Sequence, residues 1–322
     1  MRQAARHTHA GENAAGRPSA MRARAVNGWP LFWLFTLPMT AFMLRAMSGS
    51  DLSTPAGVSH MIQYSVRWAV PFIYIVVAAS AVPVLFPGEF TRWWSRNRRY
   101  FGLVFAVAMG WQGAFIFIVS NLHSSYYYDE IYYLRDELEG SSGYLFLAAM
   151  VFTSFRFGRQ FLSNAQWKVL HRSGVYLLWA YPLSVYWWNL YFYDNPKPID
   201  HLFYWAGFLA FAARIAAWGK RRAAQPGHRD AASAPRFGRM LGVLLIALGL
   251  LASATGGYWR QTMSDLLLAP GWSAMLELWL PFWPLEPFLP LFALGVGTWL
   301  VTGGLREPAR GRPLAGRSTQ IT

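Results

Sequence analysis

Histidine is the side chain in this sequence best suited to hold a haem iron or another redox metal, because the chain contains no cysteine. Thiolate sites, disulfides, iron–sulfur clusters and haem attached through C-x-x-C-H are therefore excluded. The seven histidines are His7, His9, His60, His123, His171, His201 and His228. Only His171 lies beside a recognisable motif, in QWKVLHRSGVYLLWAYPLSVYWW at 166–188. It could be a metal or haem ligand, or an interfacial ring that packs on Trp167 with its tip in water.

The elements that position these residues are long apolar segments. The sequence is 54% hydrophobic, 17% aromatic and only 14% charged, which indicates a polytopic membrane protein in a lipid bilayer. Hydropathy predicts an all-α bundle of about eight transmembrane helices, and the fourth and eighth are the shortest. These spans are expected at 29–47, 68–87, 100–119, 143–157, 173–192, 202–218, 240–257 and 287–303.

The net charge of +14 is an orientation signal. With the N-terminal tail in the cytoplasm, 24 of the 29 Lys and Arg residues fall in inner segments, and 11 of the 15 acidic residues fall in outer ones. This distribution predicts a multi-pass protein of a bacterial-type inner (plasma) membrane with cytoplasmic N and C termini. Nucleic acid is not expected as a partner.

Composition also divides the chain into domains. A disordered basic tail is expected at 1–27, a six-helix transmembrane domain at 28–220 and a flexible cytoplasmic linker at 221–238. A two-helix membrane hairpin with a periplasmic cap is expected at 239–304, and a cytoplasmic tail at 305–322. No nucleotide-binding motif follows a strand pattern, so neither a flavin nor a nicotinamide domain is expected.

The stretch QWKVLHRSGVYLLW resembles the W-x-x-L-H-R-x-x-Y-L segment of the ferric-reductase-like transmembrane domain, the superfamily of the YedZ/MsrQ haem-binding membrane subunits. RNRRYFGLVFAVAM and FLAAMVFTSFRFG support the resemblance, which covers roughly 29–218. It implies b-type haem held between helices by histidine pairs. It also implies electron transfer across the membrane, with a quinone or a periplasmic or membrane protein as partner.

The resemblance implies three ligand positions, and only His171 supplies a histidine at one of them. The position in the third span falls on Gln112, and the position 13 residues beyond His171 falls on Ser184. Gln112 lies about 18 Å along a helix from Tyr100, whereas His171 lies at the cytoplasmic end of its span, so these two cannot hold one iron. We expect a direct or water-mediated contact between Gln112 and Ser184 in place of a haem, unless both are unrelated tolerated polar residues.

Two outer segments carry further features. Segment 121–140 contains His123, Asp129 and Glu130, which lack an established metal-ligand spacing, and is expected to be an amphipathic outer helix. Segment 258–288 is expected to be a re-entrant or interfacial cap. No ionisable residue is expected at the centre of any span, which disfavours proton pumps and coupled transporters.

Two functions follow from these features. The first is an electron-transfer membrane subunit of the ferric-reductase-like superfamily, without its own flavin or nicotinamide domain, whose haem b site is degenerate or absent. The alternative is a cofactor-free membrane scaffold or accessory subunit that binds a partner membrane protein. A catalytic residue is not assigned, and whether the chain is an enzyme stays open.

Overall fold

The computed structural model describes residues 20–225, 236–269, 271 and 273–304, and no strand occurs in these ranges. The all-α fold class is confirmed. The helices are α1 Trp29–Ser48, α2 Pro55–Ala78, α3 Val82–Leu85, α4 Glu89–Leu122, α5 Ser124–Tyr126, α6 Leu134–Thr153, α7 Arg156–Arg159, α8 Asn164–Tyr191, α9 Pro198–Ala223, α10 Arg236–Ala254, α11 Gly256–Leu268, α12 Ser273–Trp279 and α13 Leu289–Val301.

Local sequence accounts for where the helices begin. Thr54 Oγ1 accepts a hydrogen bond from Gly57 N (3.2 Å), and Pro55 occupies the first position of α2, where its missing N–H is not needed. At the start of α8, Ser163 Oγ accepts from Gln166 N (3.2 Å) and Gln166 Oε1 accepts from Ser163 N (2.9 Å). This capping box satisfies two N–H groups that the helix itself leaves free.

Five of the described helices are long and apolar enough to cross a membrane, namely α1, α2, α4, α9 and α10. Helices α6 and α8 have 20 and 28 residues but carry more polar side chains. Helix α13 has only 13 residues and follows a short 3-10 turn, Glu286–Phe288. The basic 305–322 tail, most of the 1–27 tail and most of the 221–238 linker lie outside the described residues, as do His7, His9 and His228.

The second apolar helix differs from the prediction of 68–87. Helix α2 begins at Pro55 and ends at Ala78, and a break separates it from α3. Pro83 has no N–H group, so it cannot form the hydrogen bond to the Ala79 carbonyl oxygen that a continuous helix would have there. Arg67 therefore lies near the middle of the 24-residue helix α2. The expectation that no span carries a central ionisable residue stays a prediction.

The outer segment 121–140 is not one amphipathic helix. After α4 the chain forms the short helix α5 and a π-helical turn, Tyr127–Ile131, and breaks at Tyr132. The second half of the segment is the charged beginning of α6, which continues into an apolar helix. The segment expected to form a cap, 258–288, contains most of α11 and all of α12.

Helices α2, α4, α8 and α9 form the centre of the bundle. Helix α2 packs on α4, α8 and α9, while α1 packs on α4 and α6 packs on α8. Their shared core includes the fully buried Met39, Val77, Leu183, Trp187 and Tyr204. Helix α10 packs mainly on α13, and α13 packs on α9, so the C-terminal helix pair joins the other helices through α13.

Candidate functional site

A cavity of about 720 Å³ lies between α2, α4, α6 and α8. Helix α2 contributes positions 62, 63, 66, 67, 69, 70 and 73, the spacing of a single helix face. Aliphatic and aromatic side chains such as Val70, Ile73 and Phe105 form much of the wall. Cavities of this size, mostly apolar with a few polar groups, are typical of small-molecule sites.

The cavity lies toward one end of the bundle. It is lined by the last part of α4 (105–119), the first part of α6 (136–144) and the last part of α8 (177–189). Successive antiparallel helices bring these parts together at the end that carries Tyr127–Ile131 and the start of α9. The basic group Arg92, Arg96, Arg98 and Arg99 occupies the first turns of α4, at the opposite end.

Gln112, one of the predicted positions, lines this cavity. Its Oε1 atom accepts a hydrogen bond from Tyr144 Oη of α6 (3.3 Å), and the same hydroxyl lies 3.2 Å from the Met109 carbonyl oxygen. Ser184 is buried on α8, but it is not among the cavity-lining residues. Gln112 is thus hydrogen-bonded to Tyr144. The contact between Gln112 and Ser184 stays a prediction.

Four carboxylates line the cavity, and each has a partner. Glu137 accepts from Tyr127 Oη (2.7 Å), and Asp200, only 7% exposed, accepts from Asn189 Nδ2 (3.0 Å) and Lys197 N (2.8 Å). The other two are Glu139, which accepts from Phe282 N (2.9 Å), and Asp136, whose Oδ1 accepts from Arg135 Nε (3.4 Å).

The Tyr127 phenol and the Glu139 carboxyl, which lie outside the apolar part of the bundle, have shifted pKa values. Burial, and then the hydrogen bond to Glu137, raise the pKa of the Tyr127 phenol to about 12. Tyr127 therefore remains a protonated donor throughout the neutral range. Burial also raises the pKa of the Glu139 carboxyl in the charged first turns of α6, although Phe282 N and Arg135 oppose that change.

Arg67 is the cation among the cavity-lining residues. Its guanidinium presents five N–H donors in a planar arrangement. Neither an ion pair nor a hydrogen bond joins it to another residue within the described ranges. Arg67 is exposed on the face of α2 that lines the cavity, so its guanidinium is the positively charged group that the cavity wall presents.

His171 lies in the second turn of α8, at the opposite end of that helix from the cavity. Its ring packs on Trp167 at 4.3 Å between centroids, and Nε2 is 3.0 Å from Thr153 Oγ1 at the end of α6. Thr153 Oγ1 also donates to the Ala149 carbonyl oxygen (2.7 Å), an arrangement that the Nε2-protonated tautomer of His171 would complete by donating to Thr153 Oγ1. His171 thus joins α8 to α6.

The three predicted ligand positions do not fit a haem held by two histidines. Gln112 and Ser184 offer no imidazole, and the Nε2 atom of His171 is used by Thr153. Such a haem needs two axial ligands at one depth on facing helices. His171 precedes the first cavity-lining residue of α8, Leu177, by about 9 Å along the helix, so His171 and Gln112 lie at different depths.

The outer trio His123, Asp129 and Glu130 does not form a metal site. Within the part of the chain that is described, no three His, Asp or Glu side chains are close enough to hold one ion. His123 ends α4, while Asp129 and Glu130 lie on the π-helical turn.

Sequence reasoning missed Arg67 as a site residue because it places Arg67 just before the second apolar span. The periodicity of α2 is the signal that could have found it, since Ile62, Val66, Ala69, Val70 and Ile73 share the face on which Arg67 lies. Comparison of the chain with models of protein families, with curated proteins and with solved structures finds no match.

Proposed function

We propose that the chain is an integral membrane protein of eight spans, formed by α1, α2, α4, α6, α8, α9, α10 and α13. The five long apolar helices support a membrane location. Arg92–Arg99 at the start of α4 and Lys220–Arg222 at the end of α9 support inner ends at these positions. Both termini would then be cytoplasmic in a bacterial-type inner membrane.

The function that the geometry supports best is binding of a membrane-soluble organic molecule in the cavity between α2, α4, α6 and α8. The observation that carries this proposal is a mostly apolar cavity of about 720 Å³ whose wall includes Gln112. In the ferric-reductase-like arrangement that the sequence resembles, Gln112 stands at a haem-ligand position. We propose that an organic ligand occupies the space that haem takes in that arrangement.

Filling the cavity is expected to remove the ligand. Ile116 on α4 lines the cavity, so Ile116→Trp places a larger ring in the space that the ligand needs. We expect this variant to lose most of the organic molecule that co-purifies with the wild-type protein. Solvent extraction of the purified protein, followed by mass spectrometry, gives the moles of ligand per mole of chain.

Phe117→Trp is the matched control, because Phe117 is the next residue, is 68% exposed and does not line the cavity. It should retain the wild-type amount of ligand. Equal retention by both variants, or a wild-type protein that carries nothing except detergent, would show that the proposed function is wrong.

The second candidate, a haem-containing electron-transfer subunit, rests on His171 within the L-H-R motif. The absorption spectrum of the dithionite-reduced protein, expressed with ample haem, separates the candidates. We expect no b-type α or Soret band, because His171 Nε2 is bound to Thr153 and the other two positions lack histidine. Sharp bands that disappear in His171→Ala would instead support the cytochrome.

An accessory-subunit role is compatible with the same cavity. Tyr128, Tyr132, Tyr133 and Leu134 are exposed at the end of the bundle near the cavity. Tyrosine is enriched both at membrane–water interfaces and in protein interfaces. A periplasmic or membrane partner could contact this surface. Loss of an affinity-purified complex in Tyr128→Asp, with the cavity ligand retained, would favour that role, because Tyr128 is exposed and does not line the cavity.

A further inference from the structure

We propose that Arg67 binds the anionic headgroup of the cavity ligand, which is an amphiphile ending in a phosphate or a carboxylate. This inference rests on the proposed function and names the chemical class of its ligand. Arg67 lies on the cavity-facing side of α2, near the middle of a helix of 24 residues.

The charges around the cavity support an anion at Arg67. Glu137, Glu139, Asp136 and Asp200 each accept a hydrogen bond from a donor of the protein. Within the described ranges Arg67 makes neither an ion pair nor a hydrogen bond. It is thus a cavity-lining cation without a protein acceptor, and an oxyanion is the group that complements it.

Guanidinium is well suited to this partner. Its planar N–H groups match the oxygen atoms of phosphate and carboxylate, and two parallel hydrogen bonds can form at once. The aliphatic and aromatic wall formed by Val70, Ile73 and Phe105 would hold the apolar part of the same ligand.

The apolar wall favours an amphiphile over a free anion. Asp136, Glu137 and Glu139 line the same cavity and their negative charge opposes any anion, so burial of an apolar chain has to supply additional affinity. An amphiphile dissolved in the membrane gains affinity from burial of its apolar part, about 25 cal/mol for each Å². A free phosphate lacks that contribution.

The experiment uses the full chain in dodecyl maltoside and follows the midpoint of thermal unfolding as ligand is added. The probes are dodecyl phosphate, dodecanoate, dodecanol and inorganic phosphate. We expect the two anionic amphiphiles to raise the midpoint saturably and dodecanol to bind at least about tenfold more weakly, since a hydrogen bond to a charged group contributes about 1.5–3 kcal/mol.

Variants at Arg67 test its role directly. Arg67→Gln should weaken dodecyl phosphate binding about tenfold or more, and Arg67→Lys should retain part of the affinity because the charge remains. Arg45→Gln is the control, since Arg45 lies in the last turn of α1 and does not line the cavity. It removes one positive charge and should bind like the wild type.

Three results would overturn the inference. Arg67→Gln could bind dodecyl phosphate as the wild type does, dodecanol could bind as tightly as dodecyl phosphate, or inorganic phosphate could match the amphiphile. If Ile116→Trp still blocks binding in the first two cases, the proposed ligand site stands and only the proposed contact between Arg67 and an anionic headgroup fails. If Ile116→Trp also has no effect, the proposed function fails as well.

Discussion

Gly297→Leu is expected to destabilise the contact between α10 and α13 by about 3 kcal/mol, the upper range for overpacking a close contact. A Cβ atom at Gly297 would lie 2.6 Å from the Gly242 carbonyl oxygen and 2.8 Å from Ile246 Cγ1. At Gly242 a Cβ atom would likewise lie 2.7 Å from the Gly297 carbonyl oxygen. Small residues let these two backbones approach closely, as in many helix pairs in membranes.

The measurement is the thermal unfolding midpoint of the purified protein, compared with that of Gly295→Leu. Gly295 lies on the same helix, but a Cβ atom there has nothing within 4 Å. This control has the same composition and the same change in helix propensity. Gly242→Leu should resemble Gly297→Leu, and equal midpoints for Gly295→Leu and Gly297→Leu would contradict the close packing.

Hydropathy predicts most of the long helices because a run of apolar side chains carries its own signal. The predicted 29–47 and observed Trp29–Ser48 nearly coincide. Helices α4 and α6 begin with charged turns that precede their apolar stretches. Hydropathy therefore does not predict where these two helices begin. Helix α2 is the largest difference, because Arg67 lowers the local hydropathy while the helix continues through it.

The candidate site is harder to predict, because it depends on how four helices pack. Composition and motif direct attention to His171, whose ring instead joins α8 to α6 through Trp167 and Thr153. Gln112 is predicted as a site position, and the structure places it on a cavity wall. Arg67 reaches the same cavity from another helix, and no local sequence motif connects it with Gln112.

Charge counts predict orientation but not the contacts of individual charges. Arg214 is counted among the inner positive residues, yet it is only partly exposed and contacts two other helical regions. Its Nη1 atom donates to the Val77 carbonyl oxygen (3.1 Å) and to Ser80 Oγ (2.9 Å), and Nη2 donates to Tyr176 Oη (2.7 Å). The guanidinium also lies 4.9 Å from the centre of the Tyr176 ring.

Arg214→Gln is therefore expected to lower the free energy of unfolding by about 2–4 kcal/mol, because it removes charge-assisted hydrogen bonds that join α9 to the end of α2 and to α8. The free energy of unfolding of Arg214→Lys should lie between those of Arg214→Gln and the wild type, since an ammonium group cannot reproduce the planar donor geometry of guanidinium. Thermal or denaturant unfolding in detergent measures the difference.

Arg221→Gln is the matched control for this charge. Arg221 Nη2 donates to the Ser80 carbonyl oxygen (3.0 Å), but the residue is exposed and makes this single bond. We expect a loss below about 1 kcal/mol, as for other exposed charged groups. Both variants remove one positive charge from a position predicted to be inner, so a change in membrane orientation alone would affect them alike. A loss in Arg214→Gln no greater than that in Arg221→Gln would show that Arg214 contributes to orientation rather than to packing.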